Sequence, residues 1–224
     1  MSPSPELPRL KASEKRLAEA TAPFVPDLGL NRMSVSAGAR AAGFNAAELD
    51  LIAPNGGADV AAILWRGHDE TALGPDTETT VAGMKIRDRI GYLLNTWLDA
   101  FAANEPLAHR LIGCLMLPPH LGLYRRLLWA SADRIWQLAG DKALDENHYS
   151  KRLIVCGILG TALMTRLTRG REAQLEQVKR NIDGVMQFEK FKAQMPFKPD
   201  EAVLKLAESL GKLRFGHTDQ SSAS

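Results

Sequence analysis

SVSAGARAAGF (residues 34–44), followed directly by NAAELDLIAP (residues 45–54), is the stretch that decides the fold of this chain. The first segment is rich in alanine and ends at Gly43, so the pair predicts two helices joined by a tight turn. The first helix carries four small residues: Ala37, Gly38, Ala41 and Ala42. Small side chains with a glycine at the turn allow two helices to cross closely, as a helix-turn-helix requires.

The segments on either side extend the helical pattern. EKRLAEATAPFVPDLGL (residues 14–30) predicts a helix that ends near Pro26 and Gly29, and GADVAAILW (residues 57–65) begins a fourth helix. This arrangement resembles the N-terminal module of TetR-type repressors. The resemblance implies that the larger remainder of the chain forms a helical ligand-binding bundle.

The remainder of the chain also has a helical period. Apolar residues recur at three- and four-residue spacing, and strand-type alternation does not persist. The pattern predicts one helix from about Asp76, its N-cap, to Ala103, and another that ends at Gly140. A further helix carries Leu175, Val178, Ile182, Val185 and Met186 on one face. We therefore predict an all-α fold.

LIVCGILGTALM (residues 153–164) is apolar or small on every side. A helix that is hydrophobic all round is buried on all sides, so this segment predicts a central core helix. A membrane span is the alternative, but Lys151, Arg152 and Arg166 flank a stretch well under the roughly 20 residues that a span needs.

The composition is that of a globular protein without a strong overall charge. Hydrophobic residues make up 45% of the chain, charged residues 24%, and the net charge is +2, so binding to nucleic acid or anionic lipid would need a local patch. Cys114 and Cys156 lie in apolar helical runs and are interpreted as small core residues in a reducing compartment.

The third helix does not suit DNA reading. After Asn45 it presents two alanines and then Glu48 and Asp50, and these two carboxylates would repel a polyanion. We predict that the chain does not bind duplex DNA tightly. A TetR-type ligand-responsive transcriptional regulator is the alternative function.

Three segments in order carry a second resemblance. WQLAGDKALDENHYSKR (residues 136–152) is followed by the apolar helix and then by RNIDGVMQFEK (residues 180–190). Together they resemble the ubiquinone-biosynthesis accessory protein family, whose members have a TetR-like fold, bind lipid and assist the demethoxyubiquinone hydroxylase. The match runs from about Glu14 to Lys190.

The resemblance implies a non-enzymatic protein whose bundle holds an isoprenoid lipid or quinone and has no other cofactor. The implied lipid-binding residues are Leu94, Trp97, Leu98, Phe101, Leu115, Met116, Leu153, Cys156, Gly157 and Gly160. The residues alone leave a packed core as the alternative, because an apolar stripe at helical spacing is core by default.

The resemblance also implies a homodimer and a docking patch for the hydroxylase, a di-iron enzyme. The patch comprises Ile135, Asp145, Asn147, His148, Tyr149 and Arg152. The family has an aromatic pair where this chain has His148-Tyr149, and a phenylalanine where it has Glu146. Asp145 and His148 have the spacing of half a di-iron motif, but the chain has no second copy, so we expect no metal site.

The last apolar segment, PDEAVLKLAESLGKLRF (residues 199–215), predicts an amphipathic helix that is too short to cross a bilayer but able to lie on one. Its expected membrane-binding residues are Val203, Lys205, Leu206, Leu210, Lys212, Leu213 and Arg214. Packing on its own domain or on a second copy is the alternative.

The predicted domains are a flexible N-terminus (1–12), a helix-turn-helix-like module (13–73), a lipid-binding bundle (74–195), a C-terminal amphipathic helix (196–216) and a disordered tail (217–224). The opening MSPSPELPRL contains no apolar signal core. We expect a bacterial cytoplasmic protein peripheral to the inner membrane, with the matrix side of the mitochondrial inner membrane as the alternative.

Overall fold

The computed structural model describes residues 6–140 and 147–194, and every regular element in these two ranges is a helix. Only the backbone is described for residues 6–7, 147–149, 186 and 188–194. The helices are α1 (Glu6–Thr21), α2 (Val25–Leu28), α3 (Arg32–Ala41), α4 (Ala46–Ile52), α5 (Gly57–Ala72), α6 (Pro75–Val81), α7 (Ile86–Phe101), α8 (Glu105–Leu115), α9 (Leu121–Leu138) and α10 (Asn147–Gln194), with 3-10 turns at Ala22–Phe24 and Pro118–His120. The prediction of an all-α fold is confirmed.

The start of α1 differs from the prediction of a flexible N-terminus over residues 1–12. The helix begins at Glu6, so residues 6–12 are helical. Pro8 lies in the first turn, where backbone N–H groups have no partner within the helix, so its missing N–H costs no hydrogen bond.

The close helix crossing in the N-terminal part joins α3 to α1. A Cβ atom placed on Gly38 would lie 2.6 Å from the Cα atom of Thr21, the last residue of α1. Leu17 and Val35 are buried beside this contact in one apolar cluster. Gly38 therefore serves a close approach of two helices, as the sequence predicts, but the helix that approaches is the one before α3.

The glycines at the turns before α3 and before α4 stand where the sequence predicts helix ends, and the structure adds an asparagine cap at the start of each helix. Gly29 and Gly43 follow α2 and α3 with φ values of +74° and +73°, a region that glycine adopts without strain. Asn31 and Asn45 cap α3 and α4, and each takes part in a reciprocal capping box.

The single helix predicted from Asp76 to Ala103 is wrong, because the structure divides it into α6 and α7. The N-cap of α6 is Gly74 and not Asp76. Arg89 stabilises the break: its Nε donates to the Met84 carbonyl at 2.7 Å and its Nη2 donates to the Ala82 carbonyl at 2.6 Å. The side chain thereby satisfies carbonyls at the break.

Helix α5 joins the helix-turn-helix-like region to the rest of the first compact unit. It packs against α1 and α3 and also against α7, α8 and α9. Val60, Ala61 and Trp65 are fully buried. Residues 13–73 therefore belong to the same compact unit as the chain up to Ile182, and the chain divides instead into Met1–Ile182 and Asp183–Ser224, of which residues 183–194 are described as helix.

Polar contacts hold α10 against α7, among them an ion pair between Arg166 Nη1 and Asp99 Oδ1 at 3.3 Å. Helix α10 is interrupted at Gly170, which has a φ of +83°. Directly after this break, Arg171 donates two hydrogen bonds to the carboxylate of Asp99, at 2.9 and 2.8 Å. Gln174 Nε2 donates to Asn95 Oδ1 at 2.6 Å.

Candidate functional site

An aromatic cluster fills the interior where the sequence predicts lipid. Trp97 and Phe101 of α7 stack with ring centroids 4.8 Å apart, and Trp65 of α5 lies 5.1 Å from Trp97 and 5.2 Å from Phe101. Tyr124 of α9 meets Trp65 edge to face at 5.9 Å. These aromatic rings pack against one another and fill this part of the interior of the bundle.

The carboxyl group of Asp69 lies at the edge of this cluster and is hydrogen-bonded to it. Asp69 accepts hydrogen bonds from Trp97 Nε1 at 2.6 Å and from Ser131 Oγ at 2.7 Å. Trp65 Nε1 in turn donates to Ser131 Oγ at 2.8 Å. Burial raises the pKa of Asp69 from 3.8 to about 6, although the two donated hydrogen bonds act to lower it.

The sequence analysis did not identify Asp69. A signal was present, because Trp65 and Asp69 are four residues apart and therefore lie on the same face of α5. An acid on the buried face of a helix needs a polar partner. That partner, Ser131, is supplied by α9, and nothing in the local sequence indicates it.

The residues predicted to bind lipid fall into two groups. The interior group is at most 1% exposed: Leu94, Trp97, Leu98, Phe101 and Leu115. Met116, Leu153 and Gly157 lie at the surface instead. Cys156 and Gly160 lie between the two groups and contact α9, where Cys156 Sγ is 3.7 Å from the Leu128 carbonyl. Burial raises the pKa of the Cys156 thiol to about 11, consistent with an uncharged packing residue.

The prediction that residues 153–164 are buried on all sides is wrong. Val155, Leu159 and Leu163 are at most 1% exposed, but Leu153 is 62% exposed and Met164 is 40% exposed. Gly157 and Thr161 are also exposed and share a face with them. Within the described part of the chain, other helices cover residues 153–164 on one side only. We call the exposed face, residues Leu153, Gly157, Thr161 and Met164, the outer stripe.

The length of α10 allows a second interpretation that the fold argues against. By length and composition, Ser150–Val185 would suffice to cross a membrane, as the core helices of many water-soluble proteins also would. One face of this segment packs against α9 through Gly160, and Arg171 and Gln174 bond to α7. The helix is therefore built into the bundle.

Two members of the predicted docking patch are interior side chains. Ile135 is fully buried, and Arg152 is 3% exposed. The guanidinium of Arg152 pairs with the carboxylate of Asp133 on α9. Burial of these two residues corrects their assignment to a contact surface: Ile135 is a core side chain of α9, and Arg152 joins α10 to α9 through Asp133.

The rest of the predicted docking patch is less fully described. Asn147, His148 and Tyr149 form the first turn of α10, and only their backbone is described. Asp145 lies outside the described residues. Next to this turn, Trp136 Nε1 donates to the Lys151 carbonyl at 2.8 Å.

The surface that would read DNA in a repressor is acidic and apolar here. Ala46, Ala47, Glu48 and Asp50 are exposed on α4, and Leu51 is 76% exposed. A carboxylate oxygen of Glu48 accepts from the Asn45 backbone N–H at 2.8 Å. This bond keeps the carboxylate at the start of α4.

Two further predictions concern residues beyond these contacts. Among the described side chains, no group of three or more histidines, cysteines and acids is placed to hold a metal ion. The predicted membrane-binding residues of 203–214 lie outside the described residues.

A sequence model of the COQ9 family matches residues 123–189, which include nearly all of α9 and most of α10. The mitochondrial ubiquinone biosynthesis protein COQ9-A of Xenopus laevis is 25% identical over 166 residues, which are 69% of this chain and 50% of the relative. The mitochondrial COQ9 protein of Rattus norvegicus is 25% identical over 159 residues, 66% of this chain and 49% of the relative. The chain thus spans about half the length of the curated relatives that it matches. These findings confirm the resemblance that the sequence motifs indicate and support the COQ9 family for this chain.

Proposed function

We infer that this relative of the COQ9 proteins is a non-enzymatic accessory protein of ubiquinone biosynthesis that binds an isoprenoid quinone or its precursor. One observation carries the inference: the segment that matches the family, residues 123–189, contains the outer stripe. The family resemblance and the largest exposed apolar residues of α10 therefore coincide.

The outer stripe has the chemistry that a polyisoprenoid chain requires. Leu153 and Met164 present large apolar side chains to solvent, and apolar surface gains free energy when it is covered. The Thr161 hydroxyl between them is already satisfied, because it donates to the Gly157 carbonyl at 2.7 Å. Gly157 lies between them with no atom within 4 Å of the position that a Cβ would take. A methyl-branched chain could thus approach the backbone closely there.

The test is mass spectrometry of an organic extract of the purified protein. The wild-type chain should release an isoprenoid lipid, and the double variant Leu153→Asn/Met164→Asn should release at least about tenfold less, because polar groups on the stripe would be desolvated by the lipid. Leu51→Asn/Ile86→Asn is the matched control, since these side chains are 76% and 55% exposed and lie on α4 and α7. Equal lipid in both variants would contradict binding at the outer stripe.

The partner that we propose is the demethoxyubiquinone hydroxylase. Its contact surface begins at Tyr149, in the first turn of α10, next to the start of the outer stripe at Leu153. A lipid bound on the stripe would then lie beside the enzyme that modifies its head group. Arg152 acts by holding α10 to α9 through its ion pair with Asp133.

Tyr149→Ala tests the partner. In cells that lack the endogenous relative, this variant should restore less ubiquinone than the wild type while demethoxyubiquinone accumulates, and its lipid content should stay the same. Tyr92→Ala is the control, because Tyr92 is 39% exposed on α7. Full restoration of ubiquinone by Tyr149→Ala would rule out docking through this residue.

We also propose that the amphipathic segment at residues 199–215 binds the membrane and that the protein is a homodimer. The relatives are mitochondrial proteins. This favours the matrix side of the mitochondrial inner membrane over the bacterial cytoplasm. Truncation after Pro196 should reduce flotation with anionic liposomes, and unchanged flotation would exclude the segment as the anchor.

A further inference from the structure

A groove lies on the outer face of α3, away from every residue assigned above. It encloses about 390 Å³ and is open to solvent along its length. Its lining comprises Leu28, Arg32, Met33, Ser36, Ala37 and Arg40, and we call it the arginine groove.

The two arginines of the groove lie on one side of the helix. Arg32 and Arg40 are eight residues apart, which corresponds to about 12 Å along the helix axis. Both are exposed, and in the part of the chain that the structure describes neither side chain forms a hydrogen bond or an ion pair. No acidic residue lines the groove. Asp27, which precedes the lining residue Leu28 in the sequence, is an exposed acid close to it along the chain.

Helix stability does not account for Arg32. It is the first residue of α3, where the helix dipole disfavours a positive charge. The N-terminus is capped by the side chain of Asn31, which accepts from Met33 N at 2.8 Å, so Arg32 has no capping role. A positive charge at this end is instead suited to an anion outside the protein.

The apolar part of the groove restricts which anion fits. Met33 is 65% exposed and Leu28 is 38% exposed, and both line the same groove as the arginines. Guanidinium groups beside exposed apolar side chains match the interface of a bilayer, where phosphates lie next to acyl chains. Duplex DNA has no apolar layer next to its phosphates to match Met33 and Leu28, and the exposed Glu48 and Asp50 on α4 would repel it.

We propose that the arginine groove binds the surface of an anionic membrane, with Arg32 and Arg40 on phospholipid phosphates and Met33 in the acyl region. The residues of this contact are different from those of the outer stripe. The contact gives the N-terminal module a role in place of DNA binding.

Flotation of the full chain with vesicles of phosphatidylcholine containing about 30 mol% phosphatidylglycerol tests the proposal. A basic residue at an anionic surface contributes about fivefold in affinity, so Arg32→Gln/Arg40→Gln should weaken binding about 30-fold. Lys179→Gln/Arg180→Gln removes the same charge from two exposed residues of α10 and should weaken binding much less. Met33→Ser should weaken binding more than Ile86→Ser, whose side chain is similarly exposed on α7.

Equal losses in the two charge pairs would overturn the proposal, because they would show only an effect of net charge. It would also fail if the wild type does not float, or if Arg32→Gln/Arg40→Gln reduces binding to a DNA duplex and leaves vesicle binding unchanged. Thermal unfolding of the variants should match the wild type, since all four side chains of the charge pairs are exposed. Isoprenoid content of the same samples separates this result from the proposed function: the groove variant should keep its lipid.

Discussion

Gly38 in α3 and Gly157 in α10 are both glycines inside helices, yet they differ in what surrounds them. At Gly38 an added Cβ would meet the backbone of Thr21 at 2.6 Å, whereas at Gly157 it would meet nothing within 4 Å. The first glycine is required by a contact within the fold. The second is not, although glycine in a helix costs up to about 1 kcal/mol relative to alanine.

The same contrast extends to the neighbours of each glycine. Around Gly38, the buried Leu17 and Val35 complete a packed crossing of α1 and α3. Around Gly157, Leu153 and Met164 are exposed. The crossing is therefore complete within one chain, and the outer stripe is a surface that a ligand or a second chain can cover.

Gly38→Ala should have the largest effect, because it breaks the crossing directly. The nearest atoms include the Cα of Thr21, which cannot move without moving α1, so we expect a loss of about 3 kcal/mol or more in the free energy of unfolding. Urea denaturation followed by circular dichroism measures it. A loss below about 1 kcal/mol would mean that α1 and α3 separate easily and would remove one side of the comparison.

This crossing shows how much of the fold the sequence can predict. The order and type of the first helices follow from local signals: Gly29 and Gly43 at turns, and Asn31 and Asn45 at caps. The partner of Gly38 does not follow, because a small residue indicates a close approach without naming the helix that approaches.

The outer stripe shows the corresponding limit for the candidate site. An all-round apolar segment has the same sequence whether its second face meets a core, a lipid or another chain. Burial of Leu159 was predictable from this pattern, and exposure of Leu153 was not, since it depends on how many helices surround α10.

Arg152→Ala should have the next largest effect and tests whether the inner face of α10 is held as specifically as the α1–α3 crossing. Removing the guanidinium leaves the Asp133 carboxylate without its charged partner, and we expect the free energy of unfolding to fall by about 2 kcal/mol. Arg126→Ala, at an exposed position of α9, is the control and should change it by less than about 0.5 kcal/mol. An equally small change for Arg152→Ala would show that the Arg152–Asp133 pair does not stabilise the fold, and would favour the prediction that Arg152 belongs to the docking patch.

Asp69→Asn sharpens the comparison by adding a pH dependence to the packed interior. Because burial raises the folded-state pKa of Asp69 to about 6, the folded state keeps a proton that the unfolded chain releases. The free energy of unfolding of the wild type should therefore fall as the pH rises from 3.8 to about 6. Above about pH 6 Asp69 should cause no further change, because it is ionised in both the folded and the unfolded state.

The amide keeps an oxygen acceptor for Trp97 and Ser131 but carries no charge. We expect the free energy of unfolding of Asp69→Asn to exceed that of the wild type by about 2 kcal/mol near pH 7.5. Near pH 4 the two should differ little, because the wild-type carboxyl is then protonated in the folded state. Thermal or urea unfolding across this range gives the result, with the exposed Glu172→Gln as control. A destabilised Asn variant at neutral pH would show that the ionised carboxylate is the form that the two donors hold.

Gly157→Ala should have the smallest effect on stability and tests the other side of the comparison. The added methyl meets open space, and alanine is the better helix former, so the free energy of unfolding should rise by up to about 1 kcal/mol. If the outer stripe binds an isoprenoid lipid through close approach to the backbone, the same variant should retain less lipid although its free energy of unfolding is higher. Gly67→Ala is the matched control, because Gly67 is an exposed glycine of α5 that also has no atom within 4 Å of the added Cβ. Both variants should gain stability, and only Gly157→Ala should lose lipid; parallel behaviour of the two in the lipid measurement would mean that Gly157 is an ordinary surface glycine.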